Sequence, residues 1–138
     1  GFADLKELVP LQPHGVLTTT EAYEAAHEEE LHRLTRGMIR ASRALHDDFD
    51  TFRKVYEHHV TVSAPDESVH TIWQQERDTF GWAVNGELTQ RHWSAQMESF
   101  YDLNPDMPRI TRSDVIAEQF VPKALADLGV HEGADKPD

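Results

Sequence analysis

Apolar residues step along most of this chain by three or four, the period of a helix packed on one side, and polar punctuation divides the steps into about five amphipathic helices. The stripe Leu31, Leu34, Met38, Ala41 and Leu45 predicts a long first helix, entered near Thr18 and Glu21 at capping-box spacing and stopped by Asp47-Asp48. Phe49, Phe52, Val55, Tyr56 and His59 predict a shorter second helix that ends at the β-branched run Val60-Thr61-Val62. Ser63 opens a third, with Asp66 three residues on and Pro65 in the first turn, where a missing N–H costs nothing. Its buried face is Val69, Ile72, Trp73 and Phe80, and Gly81 ends it. Thr89 caps a fourth, with Trp93, Met97, Phe100 and Tyr101 inside and Asn104-Pro105-Asp106 with Pro108 closing it. The fifth starts at Thr111 and Asp114, is lined by Val115, Ile116, Phe120, Val121, Ala124, Leu125 and Leu128, and takes Gly129 as its C-cap, with Pro122 an internal kink.

The segment through Thr20 differs: Pro10 and Pro13 break it, and Val16-Leu17-Thr18-Thr19-Thr20 is β-prone, so one or two short strands are expected. A hairpin with nothing beneath it is marginal in water, which leaves these strands seeking partners beyond the helices. The expected organisation is a mainly α chain: a strand-like crossover segment over 1–20, a helical domain over 21–129 and a flexible acidic tail over 130–138.

At 138 residues the chain fits one domain large enough to bury a core. Its 13 basic and 25 acidic residues leave a net charge of −12, which repels nucleic-acid phosphates and anionic lipid alike. With no cysteine, disulfide frameworks, thiolate metal sites and cysteine nucleophiles are excluded. Gly1-Phe2-Ala3-Asp4-Leu5-Lys6 has the character of no signal peptide, and no apolar run is long enough to span a bilayer. The expectation is a cytoplasmic protein if the chain is a complete gene product, or one whose beginning lies upstream.

The order of features is itself informative. A strand-like Val16-Leu17-Thr18-Thr19-Thr20 leads to a long helix ending Ala41-Ser42-Arg43-Ala44-Leu45-His46-Asp47-Asp48 and a helix bearing Trp73. The loop Phe80-Gly81-Trp82-Ala83-Val84-Asn85-Gly86-Glu87-Leu88, Trp93, and a closing Phe120-Val121-Pro122-Lys123-Ala124-Leu125-Ala126-Asp127-Leu128-Gly129 follow. From about Phe2 to Val130 this resembles the C-terminal portion of ABC-transporter solute-binding proteins of the nitrate, sulfonate, taurine and pyrimidine-precursor (NMT1-like) group. The resemblance rests on spacing and small motifs. It implies a type II periplasmic-binding-protein fold, two α/β lobes with the solute held between them, of which this chain supplies the part richest in helices. It further implies an extracytoplasmic location, in the periplasm or as a cell-surface lipoprotein, an ABC permease as partner, and a small anionic or heteroaromatic solute. Phe2-Ala3-Asp4-Leu5 would be an edge element of the second lobe and Leu11 through Thr20 the return crossover. Most cleft residues of such proteins come from an N-terminal lobe not represented in this sequence, so the chain by itself is expected to bind solute poorly.

Three residues stand as ligand-binding candidates: His14, flanked by Pro13 and Gly15 just before the crossover-like strand; Trp82, a loop aromatic; and Asn85, which with Gly86 also forms a turn whatever its function. Trp73 and Trp93 lie on apolar helix faces and are expected in the core. His27 and His32 flank a triple glutamate but are five residues apart, about 140° round a helix, so they do not make a zinc pair. His58 and His59 are adjacent and point in different directions, and Glu28-Glu29-Glu30 reads as a solvated face near a helix N-terminus. No metal, cofactor or catalytic residue is assigned. Relatives with the same fold include a desulfinase and pyrimidine synthases whose chemistry uses cysteine or histidine of the N-terminal lobe, so a fragment of such an enzyme is one alternative, though binding without catalysis is the expectation here. The other is a free-standing helical interaction module that self-associates through the Val16/Leu17 strand.

Overall fold

A computed structural model describes residues 15–78, 81–86 and 88–132. The chain is mainly helical over these residues: α1 (Glu21–Ala26), α2 (Glu28–Asp47), α3 (Phe49–His59), α4 (Asp66–Asp78), α5 (Gln90–Leu103), a 3-10 turn (Arg112–Asp114) and α6 (Phe120–Leu128). The expected strand is not formed. Residues 15–20 are irregular, with Val16 and Leu17 59% and 68% exposed, and there is no strand among the described residues for them to pair with. The remainder of the strand-like segment, including His14, lies outside the described residues, as does Phe80.

The expected first helix is two helices. Thr20, not Thr18, is the N-cap of α1, its Oγ1 accepting from the Tyr23 N–H at 3.2 Å. His27 then leaves helical geometry (φ −133°), and serves at once as C-cap of α1 and N-cap of α2. Its ring stacks on Tyr23 at 4.1 Å and its Nδ1 lies 3.0 Å from Glu30, so the break is held from both sides. Glu28, Glu29 and Glu30 thereby occupy the first turn of α2, where the partial positive charge of the N-terminal N–H groups favours them.

α2 is the axis of the fold. Its packed face carries His32, Thr35, Arg36, Ile39, Ser42, Arg43 and His46, about 120° round the helix from the apolar stripe that predicted it. Ile39 is fully buried, α6 contributes Phe120 and Ala124 to the core, and α3 packs at the other end. Leu34 and Met38, by contrast, are 47% and 49% exposed and Ala41 is also exposed. Asp48 separates α2 from α3 and caps the latter, accepting from the Asp50 N–H at 2.9 Å and from the Thr51 hydroxyl at 2.8 Å. α4 packs on α3, burying Val69 and Trp73. The Trp73 indole N–H donates to the Leu45 carbonyl at 2.8 Å, which fixes α4 to the end of α2.

Thr89 caps α5 as expected, its Oγ1 lying 3.3 Å from the His92 N–H and 2.8 Å from His92 Nδ1. The loop after α5 is folded back by Tyr101, whose hydroxyl accepts from the Ile110 N–H at 2.8 Å and donates to the Pro108 carbonyl at 3.2 Å. The expected fifth helix is also divided. Thr111 and Asp114 do pair, the Thr111 N–H donating to the Asp114 carboxylate at 2.7 Å, but the turn they cap is a single 3-10 turn and α6 begins only at Phe120. Pro122 is then the third residue of α6, where its N–H would have had no intrahelical acceptor, so it does not kink the helix.

Candidate functional site

The Trp82–Gly86 loop is brought against the C-terminal ends of two helices, and one arginine holds the three together. Arg43 projects from the packed face of α2. Its Nε donates to the Val84 carbonyl at 2.8 Å, Nη1 to the Leu128 carbonyl at 3.2 Å, and Nη2 to the Gly129 carbonyl at 2.7 Å and to Asn85 Oδ1 at 3.2 Å. Leu128 and Gly129 supply carbonyls at the C-terminus of α6, where a helix has acceptors left over and a partial negative charge, so a guanidinium from a different helix completes the cap. Gly129 itself has φ +72° and donates its N–H back to the Leu125 carbonyl at 2.8 Å, the closure its sequence position predicted.

Asn85 extends the clamp to the chain beyond α6. Its Oδ1 accepts from the His131 N–H at 2.8 Å and its amide donates to the His131 carbonyl at 3.3 Å, so a single side chain mimics a strand partner for one residue. The Ala83–Gly86 turn that presents Asn85 is closed by the Gly86 N–H on the Ala83 carbonyl at 2.9 Å. Gly86 has φ +74°, and a Cβ there would lie 3.0 Å from Ile39 Cδ1 and 3.1 Å from Val121 Cγ2, so both the backbone and the fit against the core require glycine.

His131, delivered by this clamp, meets the end of α2. Its Nε2 lies 2.9 and 3.0 Å from the two carboxylate oxygens of Asp47, and His46 Nδ1 lies 2.8 Å from the same Asp47 Oδ1. The two imidazole rings meet edge to face at 5.3 Å, and Trp82 sits against His46 at 6.3 Å and against Phe52 at 5.6 Å. Burial pushes the Asp47 carboxyl up, but the hydrogen bonds from His46 and His131 and their charge outweigh it and hold the group below its ordinary value.

Of the three residues singled out from sequence, the loop brings Trp82 and Asn85 to this one locality, while His14 lies outside the described residues. Trp82 is half-buried and Asn85 has no exposed surface, with its oxygen and its amide both engaged. Sequence reasoning missed Arg43, His46, Asp47 and His131. Arg43 interrupts no pattern, and Asp47 and His131 are 84 positions apart, so no spacing rule links them. A shallow depression elsewhere is lined by Glu21, Glu24, Ala25, Glu28 and Gln119, and its three carboxylates suit no anionic solute. No protein-family model, curated protein or solved structure matches the chain. Its function is therefore inferred from its own residues.

Proposed function

We propose that this chain is the C-terminal, helical part of an extracytoplasmic solute-binding component of an ABC importer for a small anionic or heteroaromatic solute, acting by binding and not by catalysis. The observation that carries the proposal is the middle of the apolar stripe of α2, which no described residue covers. Leu34, Met38 and Ala41 lie along one line of the helix by their spacing and are exposed, while the face about 120° away packs on α3 and α6. A helix that packs one face on its neighbours and exposes an apolar stripe on another suits a place between two layers, and in α/β proteins the second layer is a sheet. The exposed, β-branched and aliphatic pair Val16 and Leu17 has the composition to join such a sheet. The ordered resemblance from the strand-like segment to Gly129 points to the same class. An acidic chain whose loop asparagine is sealed inside leaves the solute contacts to the other lobe.

The intact mass and N-terminal sequence of the product of the unmodified gene test this, followed by thermal unfolding of that product with nitrate, taurine, an alkylsulfonate and an aminopyrimidine. The expected result is a mass well above the 15.8 kDa of this chain and a rise in Tm with one of these solutes. A product that starts at Gly1 or one methionine earlier, and that dimerises with concentration, refutes it. The same exposed stripe would then mark a self-associating helical module, joined through α2, since Val16 and Leu17 offer no formed strand edge.

A further inference from the structure

We propose that His46, Asp47 and His131 form a site for one divalent d-block cation, of which Zn2+ is the probe, and that the cation clasps the chain beyond α6 to the end of α2. This is independent of the solute-binding proposal. One ligand atom from each of the three residues lies within 4.8 Å of the other two. Four-coordinate zinc with ligands at about 2.1 Å needs them about 3.4 Å apart, so the most distant pair closes by at most about 1.4 Å, within the reach of side-chain rotation. Two imidazoles and one carboxylate are a donor set suited to zinc and its neighbours and poorly suited to magnesium or calcium, which prefer all-oxygen cages. The fourth position is left to solvent.

Two further features favour a cation here. His46 and Asp47 are the last residues of a helix of 20, where the unpaired carbonyls concentrate negative charge. His131 is also placed without help from the metal: the Asn85 side chain grips its backbone on both sides and Arg43 holds the preceding Gly129, so the histidine is positioned before the cation arrives. One feature limits affinity. A metal on His131 Nε2 puts the ring proton on Nδ1, which is buried with no hydrogen-bond partner among the described residues, and the lack of an outer partner weakens a histidine ligand by roughly 10- to 100-fold. Binding on the order of micromolar, instead of the tighter values of structural zinc sites, is the consequence.

The test is calorimetric titration of ZnCl2 into the chelator-treated chain, with His46→Gln, Asp47→Asn and His131→Gln beside the His58→Gln/His59→Gln control. His58 and His59 form an exposed ring pair on α3. The proposal expects one Zn2+ per chain, at least a tenfold loss of affinity in each of the three variants, on the order of the loss of a ligand contact, and none in the control. No saturable binding, full affinity in His131→Gln, or loss in the control overturns it. Should the His46 or Asp47 variant fail to fold, the visible spectrum of the Co2+-loaded wild-type chain decides: intense bands of four- or five-coordinate cobalt with nitrogen ligands support the site, and the weak spectrum of hydrated cobalt refutes it.

Discussion

Replacing Arg43 with alanine removes the four bonds by which its guanidinium holds the Trp82–Gly86 loop and the carbonyls that end α6, and leaves the Arg36–Asp127 pair between α2 and α6 in place. Of the four acceptors it leaves, the Val84 carbonyl suffers most, because Val84 is 3% exposed and its bond to Arg43 is part-buried; an unsatisfied buried acceptor costs about 2 kcal/mol. The Leu128 and Gly129 carbonyls regain water in part, so together they lose about 1 kcal/mol of charge-assisted capping. Asn85 Oδ1 keeps its bond from the His131 N–H. The expected destabilisation is about 3 kcal/mol, a large share of the 5–15 kcal/mol typical of a domain, and a fall in Tm of roughly 10 °C. Urea unfolding followed by circular dichroism measures it, with the midpoint shifted and the slope unchanged. Arg43→Lys, which reaches one acceptor in place of four, should restore no more than about 1 kcal/mol. Because Asn85 shares the clamp, Asn85→Ala and Arg43→Ala should be non-additive by about 1 kcal/mol in a double-mutant cycle. A loss under about 1 kcal/mol in Arg43→Ala, or a lysine variant as stable as wild type, would show that the four bonds are not what fixes the loop.

Gly86→Ala should cost about 2–4 kcal/mol in the same unfolding assay, combining a positive φ with a Cβ pressed on Ile39 and Val121; a loss of no more than about 1 kcal/mol would refute the packing component. Tyr101→Phe strips the partner from the Ile110 N–H and should cost about 1–2 kcal/mol while speeding amide exchange at Ile110, and unchanged exchange there would mean the loop is held by other contacts, such as Arg109 over the Tyr101 ring at 4.5 Å. The Thr51 hydroxyl on Asp48, and the Thr111 N–H and hydroxyl on Asp114, hold both carboxyls below the ordinary value of 3.8. Each group binds protons less readily folded than unfolded, so its stabilisation is complete above the unfolded value and is lost as pH falls through the folded one. Carboxyl NMR titration should place both midpoints under 3.8, with Thr51→Val raising that of Asp48, and a midpoint at or above 3.8 in the wild-type chain would contradict the hydrogen bonding.

The helices were legible because their causes are local. The Asp48 stop, the Thr89 cap and the Gly129 closure each act over four or five residues, and such signals need no tertiary partner to be read, whereas α4 begins only at Asp66, after the Ser63 and Pro65 that were expected to open it. Local signals also misled where two readings were equally local. Thr18 and Thr20 both stand before Glu21 with cap chemistry, and only the stacking of His27 on Tyr23 and its pairing with Glu30 show that the helix breaks six residues later. The β-prone Val16–Thr20 run has strand propensity but no described strand to pair with, and propensity without pairing makes no sheet. The face of α2 that packs lies about 120° from the one hydrophobicity alone indicates: Leu34 and Met38 are left outside, and Ile39 is buried among His32, Arg36, Arg43 and His46, because Arg36 and Arg43 find an anion and acceptors on α6 and the Trp82–Gly86 loop. His32 shows the limit of that compensation, buried at 5% exposure with no hydrogen bond to either ring nitrogen from a described residue and Asp127 3.5 Å away. Composition and periodicity thus determined an acidic, mainly helical chain and most of its helix ends, since both depend on neighbours in sequence. The Arg43 clamp and the His46–Asp47–His131 cluster were decided only by the tertiary structure, because their members are brought together by the path of the backbone and carry no mark of it in the spacing of their residues.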